Sequence, residues 1–94
     1  METIELTVRN PSGIHARPAT LFVQAAARFR SRVTVENLDR GSKPVDAKSI
    51  LMILTAGVQR GHRIRVSADG ADESDAIATI RDLVDSGMGE AVEG

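Results

Sequence analysis

At 94 residues the chain is shorter than the ~150 residues used as a prior for one domain, so one small globular domain over residues 1–94 is expected. With 41% hydrophobic and 27% charged residues it can bury a modest core and is too apolar to be disordered. The absence of cysteine excludes disulfides, thiolate metal sites and cysteine nucleophiles, and a formal net charge of −1 excludes a strongly basic nucleic-acid binder.

Residues 3 to 9 alternate strictly, with Ile4, Leu6 and Val8 on one face, which predicts a half-buried strand. Asn10-Pro11-Ser12-Gly13 is turn chemistry, and Leu21, Phe22, Ala25, Ala26 and Phe29 then recur at helical spacing, predicting a first helix up to about residue 29. Arg32 to Asn37 alternates with Val33 and Val35 inward. A turn over residues 38 to 43 leads into a short strand around residues 44 to 47, a hairpin. The apolar run from Lys48 to Ala56 is read as a short helix, with strand as the alternative that run length leaves open. His62 to Ser67 alternates again, with Ile64 and Val66 inward, and Asp69-Gly70 marks a turn. Asp72, Glu73 and Asp75 then place negative charge in a first helical turn, followed by Ala76, Ile77, Ile80, Leu83 and Val84 at helical spacing. This helix should end near Gly87, with residues 89–94 a frayed tail.

The resulting order is β-α-β-β-α-β-α. Strands covered on both faces would be apolar throughout, whereas these alternate, so the helices should share one side of a mainly antiparallel sheet. The expected fold is α+β, a two-layer open-faced β-sandwich.

Charge is segregated along the chain. Residues 1 to 65 carry 11 basic and 5 acidic side chains, and residues 66 to 94 carry 1 and 8. That distribution suits either a solvated acidic C-terminal helix or a basic face for an acidic partner. Phe22 and Phe29 are the only aromatics, too few for a base-stacking platform, so no nucleic-acid partner is expected. No apolar run approaches the ~18 residues of a membrane span, and METIELTVRN lacks the shape of a secretory signal. No membrane insertion and a cytoplasmic location are the expectations.

The stretch Ser12-Gly13-Ile14-His15-Ala16-Arg17-Pro18-Ala19 concentrates chemistry. Proline fits the first turn of a helix, where its missing N–H costs no helical bond. With His15 as N-cap, the backbone N–H groups of Ala16 and Arg17 point out of the helix end, a place that favours anions. A guanidinium two residues from the imidazole can reach the same anion, and its donor fork matches phosphate. Imidazole keeps a substantial neutral fraction near neutral pH, leaving one ring nitrogen free to accept a phosphoryl group. The plain alternative is a capping or solvent-exposed histidine without a role.

Gly13-Ile14-His15-Ala16-Arg17-Pro18-Ala19, then Lys48-Ser49-Ile50, then Gly70-Ala71-Asp72-Glu73 resemble, in order, the active-site motif, the regulatory-serine motif and the opening of the last helix in the HPr family. These are the histidine-containing phosphocarrier proteins of the bacterial phosphoenolpyruvate-dependent sugar phosphotransferase system. The resemblance runs from about Ile4 to Gly89. It implies a four-stranded antiparallel sheet of order 1-4-2-3 with three helices on one face. It implies phosphorylation of His15 at Nδ1 by enzyme I, transfer onward to an enzyme IIA, and Arg17 binding and releasing the phosphoryl group. No metal or cofactor is expected, and the protein would be a monomeric carrier rather than a stand-alone enzyme.

Serine opening an apolar helix is ordinarily a cap worth about 1 kcal/mol. The resemblance makes Ser49 the counterpart of the serine modified by HPr kinase/phosphorylase, a serine that not every member uses for regulation. Residues 50 to 54 sweep round a helix and cannot all face the core, so some must be exposed. Leu51 and Leu54, with Ile50, are the candidates for a patch docking enzyme I and enzyme IIA. The loop containing Leu38 to Ser42 is about three residues longer than in familiar members. His62, with Arg60 and Arg63 beside it, has no metal-ligand spacing and reads as a surface residue. No Walker-type loop supports nucleotide binding.

Three competing functions remain at this level. A phosphatase or mutase using His15 would need a general acid and a substrate pocket, which the sequence does not nominate. A regulatory module acting through Ser49 would be favoured by a degenerate histidine motif, whereas this motif is intact. A carrier for a nitrogen-related or dihydroxyacetone branch would share the same site.

Overall fold

A computed structural model describes residues 1–90. Its elements are β1 (Glu2–Thr7), α1 (Ala16–Ala27), β2 (Arg32–Asn37), β3 (Val45–Asp46), α2 (Ile50–Thr55), β4 (Arg63–Asp69) and α3 (Glu73–Asp85). The four strands form one sheet of order β1-β4-β2-β3, every neighbouring pair antiparallel. The expected architecture and strand order are therefore both present.

The register explains the alternation. Leu6 pairs with Ile64, Ile4 and Val35 flank Val66, and Val33 pairs with Ala68, so the apolar residues of three strands fall on one face. That face packs with Phe22 and Ala26 of α1, Ile53 of α2, and Ile77, Ile80 and Val84 of α3 in a single core. The opposite face is polar. There Arg65 on the central strand reaches Glu5 on β1 and Glu36 on β2, each at 3.2 Å. Ion pairs this exposed contribute little to stability, and their arrangement marks the side that stays in water.

Several boundaries differ from the sequence expectation for local reasons. α1 stops at Ala27 rather than near Phe29, because the N–H groups of Arg28 and Phe29 turn back to the carbonyls of Ala25 and Ala26, although Phe29 still packs against the core. β3 is only two residues long, and β4 continues through the expected turn to Asp69, which pairs with Arg32 on β2. The 48–56 run is helical, settling the helix-or-strand alternative. Ser49 adopts an extended N-cap conformation, and its hydroxyl accepts the Met52 N–H at 3.3 Å.

Asp72 stands at the N-cap of α3 without capping it. Its carboxylate instead accepts from the Ser31 hydroxyl and from the N–H groups of Arg30 and Ser31, joining the α1–β2 turn to α3. Those donors, the Ser31 hydroxyl foremost, lower its pKa from the ordinary 3.8 to about 2.

The described start of the expected frayed segment is held in place. Met88 is buried with its N–H on the Leu83 carbonyl, and the Glu90 carboxylate is held by Asn10 and Ser12. Residues 91–94 of the expected frayed segment lie outside the described residues.

Candidate functional site

The loop before α1 is built from the inside outward. Asn10 is wholly buried, and its side-chain amide donates to the Gly13 carbonyl at 2.8 Å and to Glu90 Oε1 at 2.9 Å. Its backbone carbonyl accepts the Gly13 N–H at 3.1 Å, closing the turn. Gly13 has φ +61 and sits so close to the chain after α2 that a Cβ there would lie 2.3 Å from the Val58 carbonyl oxygen. The next N–H, that of buried Ile14, donates to the same carbonyl at 3.0 Å. Residues 13 and 14 are thus fixed to the 58–59 segment, and the chain leaves this anchor at His15.

His15 is the N-cap of α1, extended at φ −131 and ψ 164, half-buried, with no side-chain cap hydrogen bond. Its ring makes no hydrogen bond among the described residues. Ala16 is exposed and left-handed at φ +51, a conformation that costs an L-residue about 1–2 kcal/mol. Neither the Ala16 nor the Arg17 N–H has an acceptor among the described residues, and Pro18 has no N–H to offer. The first helical bond in this turn is the long one from Ala19 N–H to the His15 carbonyl, 3.4 Å. The unpaired donors expected at this helix start are present, with Ala16 bent out of regular helical geometry.

Arg17 is exposed, and its guanidinium makes no ion pair or hydrogen bond among the described residues. It runs beside Gly89, where a Cβ would come within 4.0 Å of Nε. The nearby Glu90 carboxylate does not quench it. Asn10 Nδ2, the Ser12 N–H and the Ser12 hydroxyl all donate to Glu90, and these bonds, that from Asn10 first, lower the Glu90 pKa. The imidazole, the two N–H groups and the guanidinium thus belong to three consecutive residues at the head of α1, and no anion is bound to them among the described residues.

α2 presents a second feature. Ile53 alone is buried, while Leu51 is 74% exposed and Ile50, Met52 and Leu54 about 40%. The candidates Ile50, Leu51 and Leu54 are indeed on the surface, together with Met52, which sequence reasoning passed over. Single-residue spacing around Ile53 was the signal, since one inward position leaves the other four outside. Ser49 is half-buried at the head of this helix.

His62 is not a simple surface residue. It is half-buried, and its Nδ1 lies 3.1 Å from both Asn37 Nδ2 and the Gln59 N–H, holding the entry to β4. Asn37, Asn10, Ser12 and Glu90 are the positioning residues that the sequence did not disclose. Among the described residues there is no cluster of three or more His, Asp or Glu able to hold a metal, and no helix is long and apolar enough to cross a membrane. A groove of about 430 Å³ between β1 and α3, lined by Glu5, Leu6, Thr7, Arg9, Val84 and Asp85, contains none of the candidate side chains.

Comparison with known proteins places these features in context. A family profile described as the PTS HPr component phosphorylation site matches residues 2–86. The multiphosphoryl transfer protein of Escherichia coli O157:H7 is 43% identical over 86 residues, 92% of this chain and 23% of that protein, and its Haemophilus influenzae counterpart is 42% identical over 92% of this chain and 17% of its own length. The chain thus spans about a quarter or less of these curated relatives. Among solved structures, HPr-C-His from Thermoanaerobacter tengcongensis superimposes with a TM-score of 0.91 at 42% identity, covering 98% of this chain and all of that one. A phosphocarrier protein HPr from Bacillus anthracis gives 0.81 at 32% identity, covering 88% and 95%.

Proposed function

The chain belongs to the PTS HPr family, and from that premise we propose that it is a phosphoryl carrier of the phosphotransferase system, with His15 as the group that is loaded and unloaded. The observation that carries this reading is the imidazole at the start of α1, followed by two backbone N–H groups and a guanidinium, none of them with a partner among the described residues.

In the proposed step the free nitrogen of neutral His15, Nδ1 by family resemblance, attacks the phosphorus of a phosphorylated donor. A P–N bond to His15 forms as the bond to the donor's leaving nitrogen breaks, and transfer to the acceptor reverses this chemistry. The Ala16 and Arg17 N–H groups and the Arg17 guanidinium stabilise the charge on the phosphoryl oxygens. By the resemblance, enzyme I is the donor and an enzyme IIA the acceptor. Both would dock on the exposed apolar face of α2, at Ile50, Leu51, Met52 and Leu54, whose proximity to the loop holding His15 follows from the Val58 anchor.

Ser49 enters the same reading as a second modification site for an HPr kinase/phosphorylase. A phosphate of about −2 charge at the head of α2 would sit beside the docking face and repel an acidic partner. The reading takes residues 1–94 as one HPr-like domain, monomeric and cytoplasmic.

Incubation with phosphoenolpyruvate, magnesium and purified enzyme I, read by intact mass, tests it. One acid-labile phosphoryl group on the wild type and none on His15→Ala is the expected result. No addition with an enzyme I of proven activity would overturn the carrier reading, and phosphorylation restricted to Ser49 by an HPr kinase would replace it with a regulatory one.

A further inference from the structure

The turn after β2 is unusually well anchored. Asn37 is fully buried, and its side-chain amide donates to the Ala56 carbonyl at 3.0 Å and lies 3.1 Å from His62 Nδ1. Its N–H donates to the Ser42 hydroxyl at 2.7 Å, its Oδ1 accepts the Asp39 N–H at 3.1 Å, and its carbonyl accepts from the N–H groups of Arg40 and Ser42. Asp39 in turn accepts the Arg63 N–H and lies 3.7 Å from the Arg63 guanidinium. One buried asparagine therefore ties the 38–42 turn to the end of α2 and to the start of β4.

What this turn presents is Arg40. Its guanidinium lies against Gly57, so near that a Cβ on that residue would stand 2.6 Å from Nη1 and 3.3 Å from Cζ. Yet it makes no hydrogen bond or ion pair among the described residues. Gly57 comes just after Ala56, the C-cap of α2, three residues past exposed Leu54, and the next carbonyl, that of Val58, holds the Ile14 N–H beside His15. A free cation on an ordered turn thus stands where the apolar face of α2 meets the loop that carries the histidine.

We propose that Arg40 is a specificity-determining residue of the docking surface, pairing with a carboxylate on an acidic protein partner that covers α2. This rests on the carrier reading above. Charge complementarity commits the surface to such a partner. Arg17 at the head of α1 and Arg40 on this turn both carry guanidinium groups with no ion pair among the described residues, so docking a carboxylate on Arg40 breaks no ion pair seen there. Because the turn is already ordered, less conformational freedom is lost when the pair forms.

The test uses the full chain as acceptor for purified enzyme I with phosphoenolpyruvate, comparing KM and kcat for wild type, Arg40→Lys, Arg40→Ala, Arg40→Glu and Lys43→Glu. Thermal unfolding confirms that each variant folds. For Arg40→Ala KM rises about threefold and for Arg40→Glu about tenfold, with Arg40→Lys near wild type and the effect falling on KM rather than kcat. Lys43→Glu makes the same charge change in the same turn and raises KM less than twofold, and the wild-type KM is more salt-sensitive than that of Arg40→Ala. Equal KM values for wild type and Arg40→Glu would overturn the proposal while leaving the carrier reading intact. So would an equal rise for Lys43→Glu, which would reduce the effect to overall field, or a loss confined to kcat. A wild type that enzyme I cannot phosphorylate would overturn both.

Discussion

Replacing Gly13 by alanine should destabilise the protein by about 3 kcal/mol, from two separable causes. The first is backbone conformation, since φ +61 costs a residue with a Cβ about 1–2 kcal/mol. The second is space. The new Cβ would stand 2.3 Å from the Val58 carbonyl oxygen and 2.8 Å from the Gln59 Cα, both backbone atoms with no flexible side chain to swing away. Relief requires the 13–14 segment to withdraw from Val58, breaking the 3.0 Å bond from the buried Ile14 N–H and leaving polar groups unsatisfied, a further ~1–3 kcal/mol. Gly41→Ala is the internal control, because Gly41 has φ +60 but open space around its Cβ position, so only the same backbone cause of about 1–2 kcal/mol applies. Urea unfolding of the three proteins gives the comparison, and at roughly 4–8 °C per kcal/mol the difference is also plain in Tm. Equal stability of Gly13→Ala and Gly41→Ala would refute the claim that residue 13 is wedged against Val58, and with it the account of how His15 is held.

Other consequences follow from the same geometry. Ala16→Gly relieves the left-handed strain at φ +51 and should raise stability by about 1 kcal/mol in urea unfolding, whereas a loss of stability would show that the conformation is not strained. Leu51→Asp leaves Tm within a few degrees, because the side chain is 74% exposed, but raises the KM for enzyme I roughly tenfold or more; an unchanged KM would remove α2 from the docking surface. Asp72 titrates in the folded protein at about 2, below its ordinary 3.8, so the stability it contributes is complete above pH ~4 and is lost as pH falls through about 2. Asp72→Asn should therefore flatten the acid limb of the stability profile between those values, and a wild-type slope in the variant would assign that limb to other carboxylates.

Much of the fold was legible because alternation and helical spacing report burial directly. Ile4 and Leu6, Val33 and Val35, and Ile64 and Val66 read as one inward face, and they line one face of a three-strand register. Strand order was not legible from periodicity, since pairing β1 with β4 joins Leu6 to Ile64 across most of the chain. It came from family resemblance. The site divides the same way. His15, Arg17 and Pro18 lie close together in sequence, so a helix start could be inferred from them alone. Glu90 holding Asn10 and Ser12, and Asn37 holding Ala56 and His62, are contacts between distant residues whose local sequence signals only turns. The role of Asp72 depends on distant residues in the same way. An aspartate before a helix normally caps it, but here Ser31 offers stronger donors from across the fold.

The central claim is that a phosphoryl group on His15 is held by the amides of Ala16 and Arg17. Amide NMR spectra recorded before and after loading with phosphoenolpyruvate and enzyme I test it most directly. The account predicts that the Ala16 and Arg17 N–H resonances move most, as donors to the phosphoryl oxygens, and that His15→Ala shows no change. Loading that leaves these two amides unmoved, or that shifts residues elsewhere on the surface instead, would contradict it.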